Sequence, residues 1–238
     1  RSAMISRLMS STIAFVLVIL LTPLAIRILR RRNIGQFIQA DLEGHMHKQG
    51  VPTMGGIVIV FGIVAGYLVS HYKLFSFTQG FGFEVSPLDD KAILAILAIV
   101  GMGIIGFFDD FTKYVRKGNQ GLSKRWKFLG QLIIAAGFAW GANAAGVSTE
   151  LSFVRPLGID LGPFLFFGLV LFMLTATANA VNLTDGLDGL VAGSSAFVFG
   201  AYVLIMYWQS RENLFYGIDG ALDLAVLAAA ALGGVLAF

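Results

Sequence analysis

The sequence predicts an all-α protein, a polytopic bundle of about seven transmembrane helices. Two observations carry that expectation. Hydrophobic residues make up 57% of the 238 positions and charged residues only 13%, where a soluble domain has about 25% charged. With a mean hydropathy of +0.79, the chain is more apolar than a soluble core requires, and a bilayer accounts for the excess. The second observation is spacing. Seven apolar stretches stand out, at 12–29, 53–70, 92–108, 128–145, 163–181, 190–208 and 221–238. Each is about 17–20 residues, enough to cross roughly 30 Å of hydrocarbon at about 1.5 Å per residue.

Pro23 and several glycines interrupt these stretches, which membrane helices tolerate. The 29 glycines suit close helix packing. With no cysteine, disulfides and thiolate metal sites are excluded. The chain begins at Arg1 and ends at Phe238 inside an apolar run. It is therefore expected to be one transmembrane domain, 1–238, cut from a longer protein.

Charge distribution orients the spans. Arg27, Arg30, Arg31, Arg32 and Lys48 surround the first connection, and Lys113, Arg116, Lys117, Lys124, Arg125 and Lys127 fill the third. Together they hold eleven of the 17 Lys and Arg residues. By the positive-inside rule the odd connections face the cytoplasm and the N-terminus lies outside. The fifth connection, 182–189, then faces the cytoplasm too. The fourth, around 151–162, is expected to form a short β-hairpin turning near Pro156 and Gly158.

Three polar clusters fall on that cytoplasmic face. The first is Asp109 and Asp110, expected at the end of the third helix. Adjacent carboxylates at a membrane boundary repel one another and are costly to desolvate. They make sense beside a divalent cation or as a proton acceptor, and equally as solvated helix-end charges. The second cluster shifts that balance. Asn182, Asp185 and Asp188 recur every three residues, and Gly186 and Gly189 let a ligand approach the backbone closely. Oxygen ligands of this kind suit Mg²⁺ with a phosphate or sugar, whereas a plain turn capping the sixth helix needs no such set. The third cluster is Lys48, Pro52, Thr53, Gly55 and Gly56 at the start of the second helix, where Lys48 can pair with a phosphate. His45 and His47 nearby read as solvated loop residues. Lys113, Lys117 and Arg125 follow the aspartate pair, where they can fix topology or hold the phosphate of an anionic lipid.

Four runs carry a family resemblance: 47–56 (HKQGVPTMGG), 106–113 (GFFDDFTK), 121–131 (GLSKRWKFLGQ) and 179–190 (NAVNLTDGLDGL). Together they resemble the polyprenyl-phosphate N-acetylhexosamine-1-phosphate transferase superfamily. Within it they are most similar to the bacterial phospho-N-acetylmuramoyl-pentapeptide transferases, and the resemblance covers essentially the whole chain. The Leu183-Thr184 pair inside the last run and the run 52–56 (PTMGG) favour this branch over the N-acetylglucosamine branch.

The resemblance implies ten transmembrane helices, of which this chain would hold six and most of a seventh. It places the protein in the bacterial cytoplasmic membrane as a multi-pass enzyme of peptidoglycan synthesis, with its active site facing the cytoplasm. The implied partners are UDP-N-acetylmuramoyl-pentapeptide, undecaprenyl phosphate and membrane lipid, with a second copy of the chain as a candidate partner and no nucleic acid. Mg²⁺ is the implied cofactor. Asp109, Asp110 and Asp185 are implied as catalytic. Asp109 would orient or deprotonate the lipid phosphate, and Asp110 would support it or the metal. Asp185 and Asn182 would line the nucleotide–metal site, with Asp185 and Asp110 as metal ligands. Asp188 and the backbone of Gly186 and Leu187 would sit near the uridine. Lys48 and Thr53, with Lys113, Lys117 and Arg125, would bind substrate. A further essential aspartate, itself a metal ligand, and a histidine-rich loop would follow Phe238, so the fragment alone is expected to be inactive.

Two rival functions remain. The sister class would transfer N-acetylglucosamine-1-phosphate with the same machinery. A lipid or ion transporter would place carboxylates near mid-span. Every aspartate pair beside a span is instead expected at a cytoplasmic end, with Asp223 as a partial exception near the outer face.

Overall fold

A computed structural model describes residues 2–32, 53–76, 80–118, 120–152, 156–184, 189–211 and 218–238. Its elements in chain order are α1 (Ser2–Arg31), α2 (Gly56–Ser70), β1 (Tyr72–Ser76), β2 (Gly80–Val85), α3 (Asp90–Arg116), α4 (Lys124–Ala144), β3 (Glu150–Ser152), β4 (Pro156–Asp160), α5 (Gly162–Thr184), α6 (Leu190–Arg211) and α7 (Ala221–Ala237). A helix thus forms at each of the seven apolar stretches. Among the described residues, 9–31 of α1 together with α3, α5 and α6 are long and apolar enough to cross a bilayer by themselves. α2 and α7 are apolar but shorter, at 15 and 17 residues.

The helix ends follow local chemistry. Asp89 caps α3, its carboxylate accepting from the Lys91 N–H at 2.9 Å. α3 ends where Lys117 turns left-handed at φ 48°, letting the Gly118 N–H close onto the Lys113 carbonyl. Ser123 caps α4 through the Trp126 N–H. Each hydrophilic residue here satisfies a backbone group that the first or last turn leaves unpaired.

Several expectations change. Asp109 and Asp110 do not end the third helix: α3 continues to Arg116, so the pair lies almost two turns inside it. Their charge is tolerated there because Lys113, at i+4 and i+3, is shared by both and Lys127 adds a second positive charge beside Asp109. α2 starts at Gly56, after Pro52 and Thr53. The expected hairpin forms between β3 and β4, but Pro156 and Gly158 lie within β4, not in the turn. Proline is admissible at the first residue of an edge strand, which needs no N–H there. A second antiparallel hairpin, β1–β2, was not anticipated and pairs Tyr72 with Val85. Asp89 and Asp90 form another aspartate pair, at the opposite end of α3 from Asp109, where they serve as an ordinary helix start.

Helices pack in a row that folds back on itself. α5 packs on α4, α4 on α3, α3 on α2, and α2 on both α1 and α7, while α6 packs on α7. α5 and α6 are consecutive but scarcely touch. Small residues bring the central helices together. Gly62 and Gly66 of α2 lie against Val18, Ala14 and the Ser10 carbonyl of α1, and Gly233 of α7 lies against the Ser11 backbone. Without a hydrophobic drive between helices in lipid, this close packing and occasional hydrogen bonds such as Ser10 Oγ to the Val226 carbonyl hold the bundle. The outward faces of α5 and α6 are apolar, with Phe164 and Phe197 exposed, as a lipid-facing surface requires.

The two ends of the bundle differ. At one end lie the C-terminus of α1, the start of α2, the later part of α3, the start of α4 and the end of α5. Tyr114 donates to the Arg32 carbonyl there, and the Phe238 ring covers Gly55. At the other end Asp223 of α7 accepts from Tyr67 and His71 of α2 and from the Asp89 N–H. The hairpins lie toward that end. At the β4–α5 junction, hydrogen bonds from Thr149 and the Gly162 N–H hold the exposed Asp160 carboxyl below the usual carboxylate range.

Candidate active site

The acid pair on α3 is the centre of the first end. Asp109 is 8% exposed, a costly place for a carboxylate unless its oxygens are paired. One oxygen accepts from the Leu122 N–H at 3.1 Å. The other lies 2.9 Å from Lys113 Nζ and 3.8 Å from Lys127 Nζ. Asp110 takes Lys113 Nζ at 2.8 Å on one oxygen and the Met54 N–H at 3.3 Å on the other. Apart from Lys113 on α3 itself, the contacts come from different segments, so the pair gathers the lead-in to α2, the α3–α4 connection and α4.

Two backbone details make this fit. Gly121 runs so close to Asp109 that a β-carbon there would overlap its carboxylate. Met54 adopts φ 70°, a left-handed conformation rare for methionine, beside the N–H that it offers to Asp110. Such strain persists only where the surroundings demand it.

Lys127 extends the cluster to α5. Its ammonium donates to Asn182 Oδ1 at 3.1 Å while facing Asp109. One turn further along α4, Gln131 Oε1 accepts from Asn179 Nδ2 at 2.8 Å. The described side chains thus bring two carboxylates, Asp109 and Asp110, against two ammonium groups, Lys113 and Lys127. They are nearly neutral in sum, with hard oxygen donors at the centre.

The expected site residues divide three ways. Asp109, Asp110, Lys113 and Asn182 come together. Thr53 sits next to Met54 in the lead-in to α2, while Lys117 caps α3 and Arg125 lies exposed in the first turn of α4. Lys48, Asp185, Gly186, Leu187 and Asp188 lie outside the described residues, as do His45 and His47. Lys113, expected to bind lipid phosphate, lies against both aspartates. Lys127, Gln131, Asn179 and Met54 were missed as site residues. The signal for the first two was present: a lysine and a glutamine one turn apart share a face of an otherwise apolar helix.

Oxygen-rich chemistry suits a hard divalent cation. Among the described residues no group of three or more His, Cys, Asp or Glu side chains is gathered closely enough to hold a metal. Asp110 and Asn182 would therefore supply only part of a coordination shell.

The Glycosyl transferase family 4 model matches residues 92–238, which include the acid pair, α4 and α5. A phospho-N-acetylmuramoyl-pentapeptide-transferase of Thermobifida fusca (strain YX) is 43% identical over 234 residues, covering 92% of this chain and 64% of that protein. Proteins of the same name from Frankia casuarinae and Corynebacterium efficiens are each 40% identical, covering 97% of this chain and 67% and 68% of their own lengths. The chain spans about two thirds of the length of these relatives. A membrane helical bundle, an acid pair neutralised by lysines and these matches have one common account: the chain belongs to glycosyl transferase family 4, among the phospho-N-acetylmuramoyl-pentapeptide-transferases.

Proposed function

We propose that the full-length protein transfers phospho-N-acetylmuramoyl-pentapeptide from its UDP conjugate to undecaprenyl phosphate, releasing UMP and forming lipid I for peptidoglycan synthesis. The observation that carries this reading is Lys127, which joins the α3 acid pair to Asn182 at the end of α5. It draws two motifs far apart in sequence into one polar site, as a reaction between two anionic substrates requires.

In the reaction, an oxygen of the lipid phosphate forms a bond to the β-phosphorus next to the sugar. The bond from that phosphorus to the bridging oxygen breaks, and UMP leaves with the electron pair. The lipid phosphate is already mostly ionised near neutral pH, so a base has little to remove. Asp109, with a backbone N–H on one oxygen and two ammonium groups near the other, is better suited to holding Lys113 and Lys127 toward the incoming phosphates than to taking a proton. Because the described side chains are nearly neutral in sum, two phosphate-bearing substrates call for added positive charge. Mg²⁺ is the cofactor that we assign. It would screen the repulsion between the substrates and stabilise charge on the departing UMP. Asp110, Asn182 and Asp185 would contribute ligands to part of its coordination shell. Direct in-line displacement is favoured, since both substrates can meet at one site. The basic connections argue that the site faces the cytoplasm, where a nucleotide-linked substrate is supplied.

Mg²⁺-dependent UMP release from UDP-N-acetylmuramoyl-pentapeptide, measured on the full-length protein with polyprenyl phosphate, tests this reading. UDP-N-acetylglucosamine serves as the competing donor. Turnover with that donor alone would assign the sister reaction. Wild-type turnover by Asp109→Asn would remove the acid pair from the mechanism.

A further inference from the structure

We propose that Gln131 is a positioning residue for this site: it holds Asn179 and thereby fixes the rotation of α5 that presents Asn182 to Lys127. The inference rests on the functional reading above. Gln131 is 3% exposed, on a face of α4 otherwise built from alanines such as Ala135 and Ala139. An amide buried between apolar helices costs about 1–3 kcal/mol if it lacks a partner. One interhelical hydrogen bond in a membrane returns only about 0.6 kcal/mol on average. Two apolar side chains of similar size would serve packing as well or better, so stability alone does not account for an amide pair here.

Orientation does. Asn179 spends both amide hydrogens on carbonyl oxygens, Gln131 Oε1 and Thr175 O, each at 2.8 Å. Flipping the amide would set its oxygen against two other oxygens, so a single orientation is allowed. Thr175, the one buried residue of α5 among those described, is itself tied back to the Leu171 carbonyl at 2.7 Å. α5 rests on α4 and scarcely touches α6, so apolar contact along one side leaves its rotation poorly constrained. The Gln131–Asn179 bond supplies a direction. Asn179 and Asn182 are three residues apart and share a face, as Gln131 and Lys127 do one turn apart on α4. Fixing the inner pair therefore aligns the outer pair, Lys127 with Asn182. The chain leaving α5 toward Asp185 starts from that turn.

The test uses the full-length protein with Gln131→Leu and Gln131→Glu, the second keeping an acceptor oxygen. Spin labels at Trp126→Cys and Leu183→Cys, both exposed positions on α4 and α5, report the helix arrangement without any turnover. Gln131→Leu is expected to broaden the label-to-label distance distribution and to lower kcat at least tenfold. The thermal midpoint is expected to fall by only the few degrees that one unpaired amide hydrogen on half-buried Asn179 accounts for, and KM for the nucleotide donor should change less than threefold. Gln131→Glu is expected to recover most of kcat. An unchanged distance distribution overturns the proposal whatever happens to turnover. A Gln131→Glu protein that regains thermal stability but not kcat overturns it too. A labelled parent that transfers nothing would sink the functional reading, while the distances would still judge the role of Gln131.

Discussion

The imidazole of His71, at the end of α2, meets the carboxylate of Asp223, in the first turn of α7, at 2.7 Å. Tyr67 and the Asp89 N–H donate to the same carboxylate, so one acid ties α2, α3 and α7 together at the end away from the candidate site. Removing the acid leaves the buried Tyr67 hydroxyl and His71 Nε2 without this partner, and frees the Asp89 N–H. Asp223→Ala is expected to destabilise the bundle by about 3–5 kcal/mol, and Tyr67→Phe by about 1 kcal/mol. Chemical denaturation in detergent measures both. Equal stability of Asp223→Ala and the parent would show that this junction does not hold the helices.

At the opposite end, Gly121 faces Asp109 with no room for a β-carbon. Gly121→Ala is expected to displace the Asp109 carboxylate, cutting UMP release by at least tenfold in the full-length protein while costing about 1–3 kcal/mol in stability. Activity within twofold of wild type would mean that the α3–α4 connection gives way without disturbing the acid pair.

Lys127 is the sole described link between the acid pair and α5 in this cluster. Lys127→Met leaves Asp109 with Lys113 but strips the exposed Asn182 of its donor; a rate loss of roughly tenfold is expected, about 1.4 kcal/mol on the transition state. Lys127→Arg, which keeps the charge, should restore part of it. Steady-state rates of the three proteins, compared at saturating donor, check the expectation.

Close packing at the α1–α2 contact predicts sensitivity to size. Gly66 lies against the Ser10 carbonyl and Ala14, so Gly66→Leu must push two backbones apart. A loss of at least about 1–3 kcal/mol is expected. An unchanged thermal midpoint in detergent would contradict the close approach of these helices.

Much of the helical plan was legible because its signals are local. Apolar stretches of bilayer length and the clustered lysines and arginines each act within a turn or two of themselves. The β1–β2 hairpin was not legible. Phe75 pairs with Phe81 and Tyr72 with Val85, partners that short alternating segments do not announce. The β3–β4 turn was misplaced because Pro156 and Gly158 carry turn chemistry, although an edge strand also accepts them. Asp109 and Asp110 were read as a helix end because charge usually stops an apolar span; Lys113 makes it unnecessary to stop there. Lys127 looked like one more topology charge until α5 lay beside it.

By itself, the sequence determined the class of the protein and the side chains available to its chemistry, since hydropathy, capping and motif spacing are properties of neighbouring residues. Only the tertiary structure decided which of them meet. That Lys113 is shared by both aspartates, that Lys127 reaches Asn182, that Gln131 holds Asn179 and that Asp223 closes the far end all depend on how α3, α4, α5 and α7 lie against their neighbours. Packing of small residues between helices sets those placements, and no single segment carries that information alone.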